Sequence, residues 1–391
     1  MTSIRIILPI IVFSQFCCTS LWFASNGVMT DLIATFHLSD DALGDLTSFV
    51  QFGFITGTLG FAALTIVDRF SPSRVFLVCA LLGALLNLGL LWEGNTIATI
   101  LGFRFSTGFC LAGIYPVGMK IAADYFDKGL GKSLGFLVGA LVVGTAFPHY
   151  LKGATGTFSW ESVILIISGL SALGGILIAV LVPDGPFRKQ SQQPDFRAFV
   201  KVFRDRPFRS AAVGYFGHMW ELYTFWAFVP LMLETYIFLH PTTVFHVAAL
   251  SFLIIGSGGI GCVISGYLSY WRGARWTASL AMTLSAFCCL VSPMMFVQDL
   301  PWLFAGFLII WGLSVVSDSP MLSTLVAQRA PAEIRGTALT IVNSIGFLIT
   351  ILSIQLLNVL RHDVDPSFLY LMLAIGPLLG LVSLRKSAAA S

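Results

Sequence analysis

Apolar residues run through this chain in long blocks separated by short clusters of proline, glycine and charge. A helix needs roughly twenty apolar residues to cross the hydrocarbon core of a bilayer. Twelve blocks meet or approach that length, at approximately 6–30, 42–66, 75–92, 97–123, 131–151, 161–182, 208–236, 244–269, 276–297, 301–326, 337–360 and 367–384. One pattern inside these blocks occurs twice. Gly108-Phe-Cys-Leu-Ala-Gly-Ile-Tyr-Pro116 in the fourth block returns 204 positions later as Gly312-Leu-Ser-Val-Val-Ser-Asp-Ser-Pro320 in the tenth. The echo implies two homologous helical bundles. In secondary transporters built from repeats, the substrate site lies between them near the bilayer midplane.

Composition strengthens this picture. Hydrophobic residues make up 57% of the 391 and charged residues 10%, against about 25% charged in ordinary soluble proteins. The expected fold is therefore an all-α integral membrane protein with twelve transmembrane helices in two pseudo-symmetric six-helix bundles. The first block is too long for the apolar core of a signal peptide and ends without a small-residue cleavage pattern, so it reads as a retained helix. Basic residues concentrate on the cytoplasmic side of membrane proteins. Placing both termini in the cytoplasm puts 18 of the 22 Lys and Arg on that side; Lys152 and Arg361 fall outside and Arg104 and Lys120 lie within spans. Acids such as Asp31, Asp40, Asp41, Asp299, Asp363 and Asp365 lie in the outer loops. The net charge of +3 is this inner-surface bias and not a nucleic-acid footprint. A bacterial inner membrane is the expected location.

The longest charged interruption divides the chain into an N-terminal bundle at 1–183, a cytoplasmic linker at 184–207 and a C-terminal bundle at 208–391. The linker becomes basic with interleaved phenylalanines, as suits an amphipathic segment on an anionic lipid surface. All seven cysteines fall within spans, without the spacing of a metal site or a loop disulfide. No cofactor or metal is expected. Gly256-Ser-Gly258-Gly-Ile-Gly261 matches a dinucleotide-binding pattern by letters, but it lies in an apolar span where small residues permit close helix contact.

Twelve spans in a 6+6 arrangement around a central loop resemble the major facilitator superfamily over essentially the whole chain. In that family the inner loop after the second span reads Gly-x-x-x-Asp-Arg-x-Gly-x-Arg. Asp68-Arg69-Phe70-Ser71-Pro72-Ser73-Arg74 keeps its acid and bases, and the second-half loop from Gly266 to Arg275 keeps the glycines with Tyr270 in the acid's place. The resemblance implies a conformational latch involving Asp68, Arg69, Arg74, Arg272 and Arg275. Arg104-Phe-Ser-Thr-Gly108 is similar to the family's intramembrane arginine followed by glycine. The fifth-span Gly-Pro signature of drug/proton antiporters is missing, since Pro148 comes four residues after Gly144. The seventh-span string from Gly217 to Trp226 resembles bacterial members grouped with nitrate and cyanate carriers.

Ionisable groups inside the bilayer are costly and mark function by default. Arg104, one turn before Gly108 and near the face of Tyr115, either receives an anionic solute, relays a proton, or holds backbone carbonyls of a neighbouring span. Lys120 either snorkels inward or adds a second positive group. In the seventh block His218 and Glu221 are neighbours on one helical surface, among Trp220, Tyr223 and Thr224. They read as a proton-coupling pair or as a neutral packing pair. Asp318, aligned with Ser314 and Trp311, is the third proton-coupling candidate, and its counterpart in the first half is Ile114. Gln15, Thr19, Trp22 and Asn26 recur at helical spacing as a polar-aromatic face. That face, with Arg104, Tyr115, Trp220 and Tyr223, makes up the candidate solute-binding set.

These residues point to a secondary carrier of a small polar, anionic solute, driven by a proton or counter-solute and working as a monomer in the lipid bilayer. The alternatives are a proton-driven exporter of drugs or metabolites and a non-transporting receptor on the same fold. Enzymatic activity is not expected, because no nucleophile–base pair appears.

Overall fold

The computed structural model describes residues 4–126, 130–155, 158–188, 202–331 and 334–386. Helices in chain order are α1 Ile4–Thr19, α2 Met29–Phe36, α3 Ala42–Ala63, α4 Ile66–Arg69, α5 Pro72–Leu88, α6 Ile97–Leu111, α7 Tyr115–Tyr125, α8 Leu130–Thr155, α9 Trp160–Leu181, α10 Arg206–Leu239, α11 Val247–Arg272, α12 Ala274–Val297, α13 Pro301–Ser317, α14 Ser319–Arg329, α15 Arg335–Leu360 and α16 Ile375–Lys386. No strand occurs among the described residues. Ten helical stretches are long and apolar enough to span a membrane, with shorter apolar helices at each end of the chain. This is the expected twelve-helix architecture.

The chain divides into two compact units, Met1–Pro194 and Asp195–Ser391. Most of the expected basic amphipathic linker lies outside the described residues. Its start, however, is tied to the α4–α5 end of the first unit. Ser71 Oγ donates to Asp184 at 2.6 Å, Arg188 pairs with Asp184, and Arg188 Nη2 donates to the Phe70 carbonyl. Polar caps set several helix starts by accepting otherwise unpaired N–H groups. Thr96 and Thr99 cap each other at α6, and Asp205 accepts from Phe208 N at α10.

Each unit packs its helices by the same scheme: second span on fourth, third on sixth, first on fifth and sixth. The agreement extends to individual atoms. A methyl at Gly108 would lie 2.0 Å from the Val50 carbonyl oxygen, and one at Gly312 would lie 2.1 Å from that of Ile254. A methyl at Gly57 would meet the Phe109 oxygen at 2.6 Å, and one at Gly261 the Leu313 oxygen at 2.5 Å. All four pairs obey the offset of 204 positions. Without Cβ atoms these backbones approach closely, which fills interhelical space in the absence of a hydrophobic drive within lipid. Gly261 belongs to the glycine run that resembles a nucleotide fingerprint, and here it is a packing contact.

Three spans expected to be continuous are broken. The fourth and tenth break at Ala112–Ile114 and at Asp318, immediately before Tyr115-Pro116 and Ser319-Pro320. Proline lacks an N–H donor and disfavours helix in the residue before it, so the repeated Gly…Pro pattern marks the two breaks. The first span stops at Thr19, passes through non-helical turns and a 3-10 turn at Asn26–Val28, and restarts at Met29. Exposed tryptophans at span ends (Trp92, Trp271, Trp276 and Trp302) fit interfacial anchoring.

Candidate functional site

The break in the first span creates a chemical need. Carbonyls at a helix end have no partner within the helix, and the region is buried. Arg104, itself fully buried on α6, answers it: Nη1 donates to the Leu21 carbonyl at 3.1 Å and Nη2 to that of Trp22. At the corresponding place in the second unit stands Leu308, and α10 runs unbroken through Phe225 and Trp226. The arginine and the break therefore occur together and are absent together. Of the three roles open to Arg104, its contacts show the carbonyl-holding one. Its Nε has no partner, and among the described residues it makes no ion pair.

The four residues expected to form a helical stripe are divided by this break. Gln15 and Thr19 stay on α1, Trp22 falls in the non-helical turns and Asn26 in the 3-10 turn. Their partners lie elsewhere in the first unit. Trp22 Nε1 donates to Gln51 Oε1 at 3.2 Å, and Asn26 Nδ2 donates to Thr47 Oγ1 at 2.9 Å. Thr19 returns its hydroxyl to the Gln15 carbonyl. Gln15 packs against Gly118, where a methyl would stand 2.2 Å from Oε1. Tyr115 sets its ring edge-on to Trp22 at 6.4 Å. Lys120 is half-buried on α7.

The ionisable residues of the second unit also converge, in an order different from the expected one. His218 is partnered by Asp318 and not by Glu221: Nδ1 lies 2.7 Å from Oδ1, a close contact without hydrogen-bond alignment, with both side chains buried. Asp318 occupies the break of the tenth span and leaves the N-terminus of α14 uncapped by its side chain. Glu221, one turn along α10, holds Oε1 among three donors: Ser285 Oγ at 2.5 Å, Trp311 Nε1 at 2.7 Å and Cys289 Sγ at 3.2 Å. Buried carboxylates persist where such donors converge. Thus α10, α12, α13 and the α13–α14 break together carry two acids, an imidazole and their donors.

Two of the expected aromatic contacts serve packing. Trp220 Nε1 donates to the Met372 carbonyl at 3.0 Å, and Gly376 lies against its side chain. Tyr223 is buried between the rings of Trp226 and Phe347. Gln51, Thr47, Ser285 and Cys289 were missed as site residues. Each is polar within a span, and the cost of burying such groups was the signal available for finding them.

The side chain of Asp68 lies outside the described residues. Arg69 Nε bonds Thr65 Oγ1 at 3.0 Å, and Arg74 is exposed. Arg272 stacks over Trp276 at 5.4 Å, while Arg275 donates to the Leu384 carbonyl at the end of α16.

A family profile described as Major Facilitator Superfamily matches residues 11–354. No curated protein sequence matches the chain. Among solved structures, a bacterial homologue of the human lysosomal transporter Spinster, inward-facing and unoccupied, superposes with a TM-score of 0.68 at 15% identity, over 99% of this chain and 95% of its own. The human organic anion transporter MFSD10 (TETRAN) gives 0.76 at 15% identity, over 98% and 100%. The nucleoside transporter NupG gives 0.73 at 16% identity, over 98% and 99%. The chain belongs to the Major Facilitator Superfamily, a family of transporters, and is an integral multi-pass membrane protein.

Proposed function

We propose that the protein is a proton-coupled secondary transporter of a small polar, anionic solute, working by alternating access. The observation that carries this reading is the buried set of Glu221, His218 and Asp318, with His218 paired to Asp318 at a helix break. Ionisable groups inside membrane spans mark ion pathways and proton relays, and broken helices mark solute and ion sites. Gaining or losing one proton in the His218–Asp318 contact changes the charge at the junction of α13 and α14. That couples protonation to the geometry of a span.

The solute side of the reading rests on Arg104, the only arginine or lysine that is fully buried among the described residues. The fold alone does not select a cargo, since its neighbours carry organic anions in one case and nucleosides in another. The positive-charge bias supports a reading with both termini on the cytoplasmic side of a bacterial inner membrane.

Proteoliposomes test the coupling. An inward proton gradient is expected to accelerate uptake by the native protein, and Glu221→Gln is expected to remove that acceleration while the protein stays folded. Gradient-driven uptake at the native rate in both Glu221→Gln and Asp318→Asn would overturn the assignment.

A further inference from the structure

We infer that the turn between α11 and α12 holds the headgroup of an anionic phospholipid from the leaflet it faces. The inference is independent of the transport reading, because it concerns the surface of the second unit and not its buried acids.

The turn lies at a bilayer surface whichever way the chain is oriented. One span, Val247–Arg272, ends there and the next, Ala274–Val297, begins, with Gly273 at φ +82° making the reversal between them. Its charge is one-sided. No acid occurs in the sequence from 235 to 298, whereas Arg272 and Arg275 flank the glycine. Packing brings Arg329 close enough to Arg275 for the two charges to repel, and Asp205 offsets that repulsion only in part. Arg275 and Arg329 donate to the helix-end carbonyls of Leu384 and Pro207. None of the three arginines forms an ion pair among the described residues. The first unit differs: beside its corresponding loop, Asp184 answers both Ser71 and Arg188. A basic cluster at a membrane surface without an acid of its own attracts an anion from the membrane.

Two further features select the anion. Arg272 stacks over the Trp276 ring, its Cζ 5.4 Å from the centroid. Stacking occupies the face of a guanidinium and leaves the N–H donors at its edge, whose fork matches two phosphate oxygens. From Trp276 an exposed apolar stripe continues along one face of α12 through Leu280, Leu284 and Phe287. Exposed Tyr270 and Trp271 flank the headgroup end, as side chains at a membrane–water interface do. A phosphate position leading into a path for an acyl chain fits a phospholipid, and a free phosphate has no use for the stripe. The surplus of arginines opposes a headgroup with its own ammonium, so a glycerol-type lipid is favoured over a choline-type one.

Native mass spectrometry of the detergent-purified full-length protein tests this, because it counts bound lipids directly. The probes are dioleoyl phosphatidylglycerol, dioleoyl phosphatidylcholine and glycerol 1-phosphate, a headgroup without chains. Phosphatidylglycerol is expected to bind at least about fivefold more tightly than phosphatidylcholine, and glycerol 1-phosphate is expected not to displace it. Arg272→Gln should weaken phosphatidylglycerol about fivefold, the worth of one basic residue at an anionic surface. Trp276→Leu keeps the charge and the stripe but removes the stack, and should weaken it about two- to fivefold. Arg74→Gln, which removes an exposed arginine beside the corresponding loop of the first unit, should leave it unchanged. Equal binding of phosphatidylcholine, displacement by glycerol 1-phosphate, or equal losses in Arg272→Gln and Arg74→Gln would each overturn the inference. The comparison among lipids uses the native protein and stands even where a substitution disturbs folding.

Discussion

At the scale of single residues, the second unit shows how a bilayer-embedded carboxylate is kept: Glu221 receives Ser285, Cys289 and Trp311 on one oxygen. Trp311→Phe preserves the apolar bulk and removes one of the three donors to Glu221 Oε1. It is expected to cost about 0.5–1.5 kcal/mol, visible as a lower thermal midpoint. The His218–Asp318 contact supports a second prediction. Removing one partner leaves the other's buried polar group uncompensated and costs about 1–3 kcal/mol. Asp318→Asn or His218→Leu alone should therefore destabilise more than the two together, a non-additivity that a double-mutant cycle measures. Additive losses would mean that the contact carries no coupling. The sequence marked His218, Glu221 and Asp318 individually, because any ionisable group in an apolar run stands out. It did not mark their partners. Residues 218 and 318 meet only through the packing of α10 against the tenth span, while their closeness on one helix made Glu221 look like the mate of His218.

At the scale of helices, the repeated glycines make the clearest prediction. Gly108→Ala and Gly312→Ala each force a methyl against a backbone oxygen at about the same distance. Overpacking of this kind costs about 1–3 kcal/mol. The two variants should lower the unfolding temperature by similar amounts, while Gly102→Ala and Gly306→Ala, which meet nothing within 4 Å, should not. Unequal losses at 108 and 312 would show that the shared register does not carry shared energetics. The existence of these elements was legible in the hydrophobic blocks, and the duplication was legible in Gly108…Pro116 and Gly312…Pro320. The breaks were harder to read. Two follow from prolines already in view, whose local effect was masked by the strength of the repeat. The third begins after Thr19 in Ser-Leu-Trp-Phe-Ala-Ser, which contains no glycine or proline, and only its far end carries a turn signal, Asn26-Gly27. Its carbonyls are stabilised by an arginine more than eighty residues away in the chain, as the contact of Arg104 with Leu21 spans 83 positions. Where the helix stops, a break held by a tertiary contact leaves no local signature.

At the scale of the whole molecule, orientation is the property most directly written in the sequence, because it depends on where lysine and arginine fall and on no side-chain contact. With both termini inside, the loop between α10 and α11 faces outward and the loop between α11 and α12 faces inward. Val244 and Tyr270 sit in or beside these loops and are 93% and 87% exposed, so a cysteine at either position reports its side of the membrane. All seven native cysteines are buried, which keeps the labelling background low without removing them. In intact cells a membrane-impermeant maleimide should modify Val244→Cys and spare Tyr270→Cys; in inside-out vesicles the pattern should reverse. Labelling of Tyr270→Cys in intact cells would invert the topology. It would also turn the basic loops that carry Arg69, Arg272 and Arg329 away from the cytoplasmic side, against the expected concentration of positive charge there.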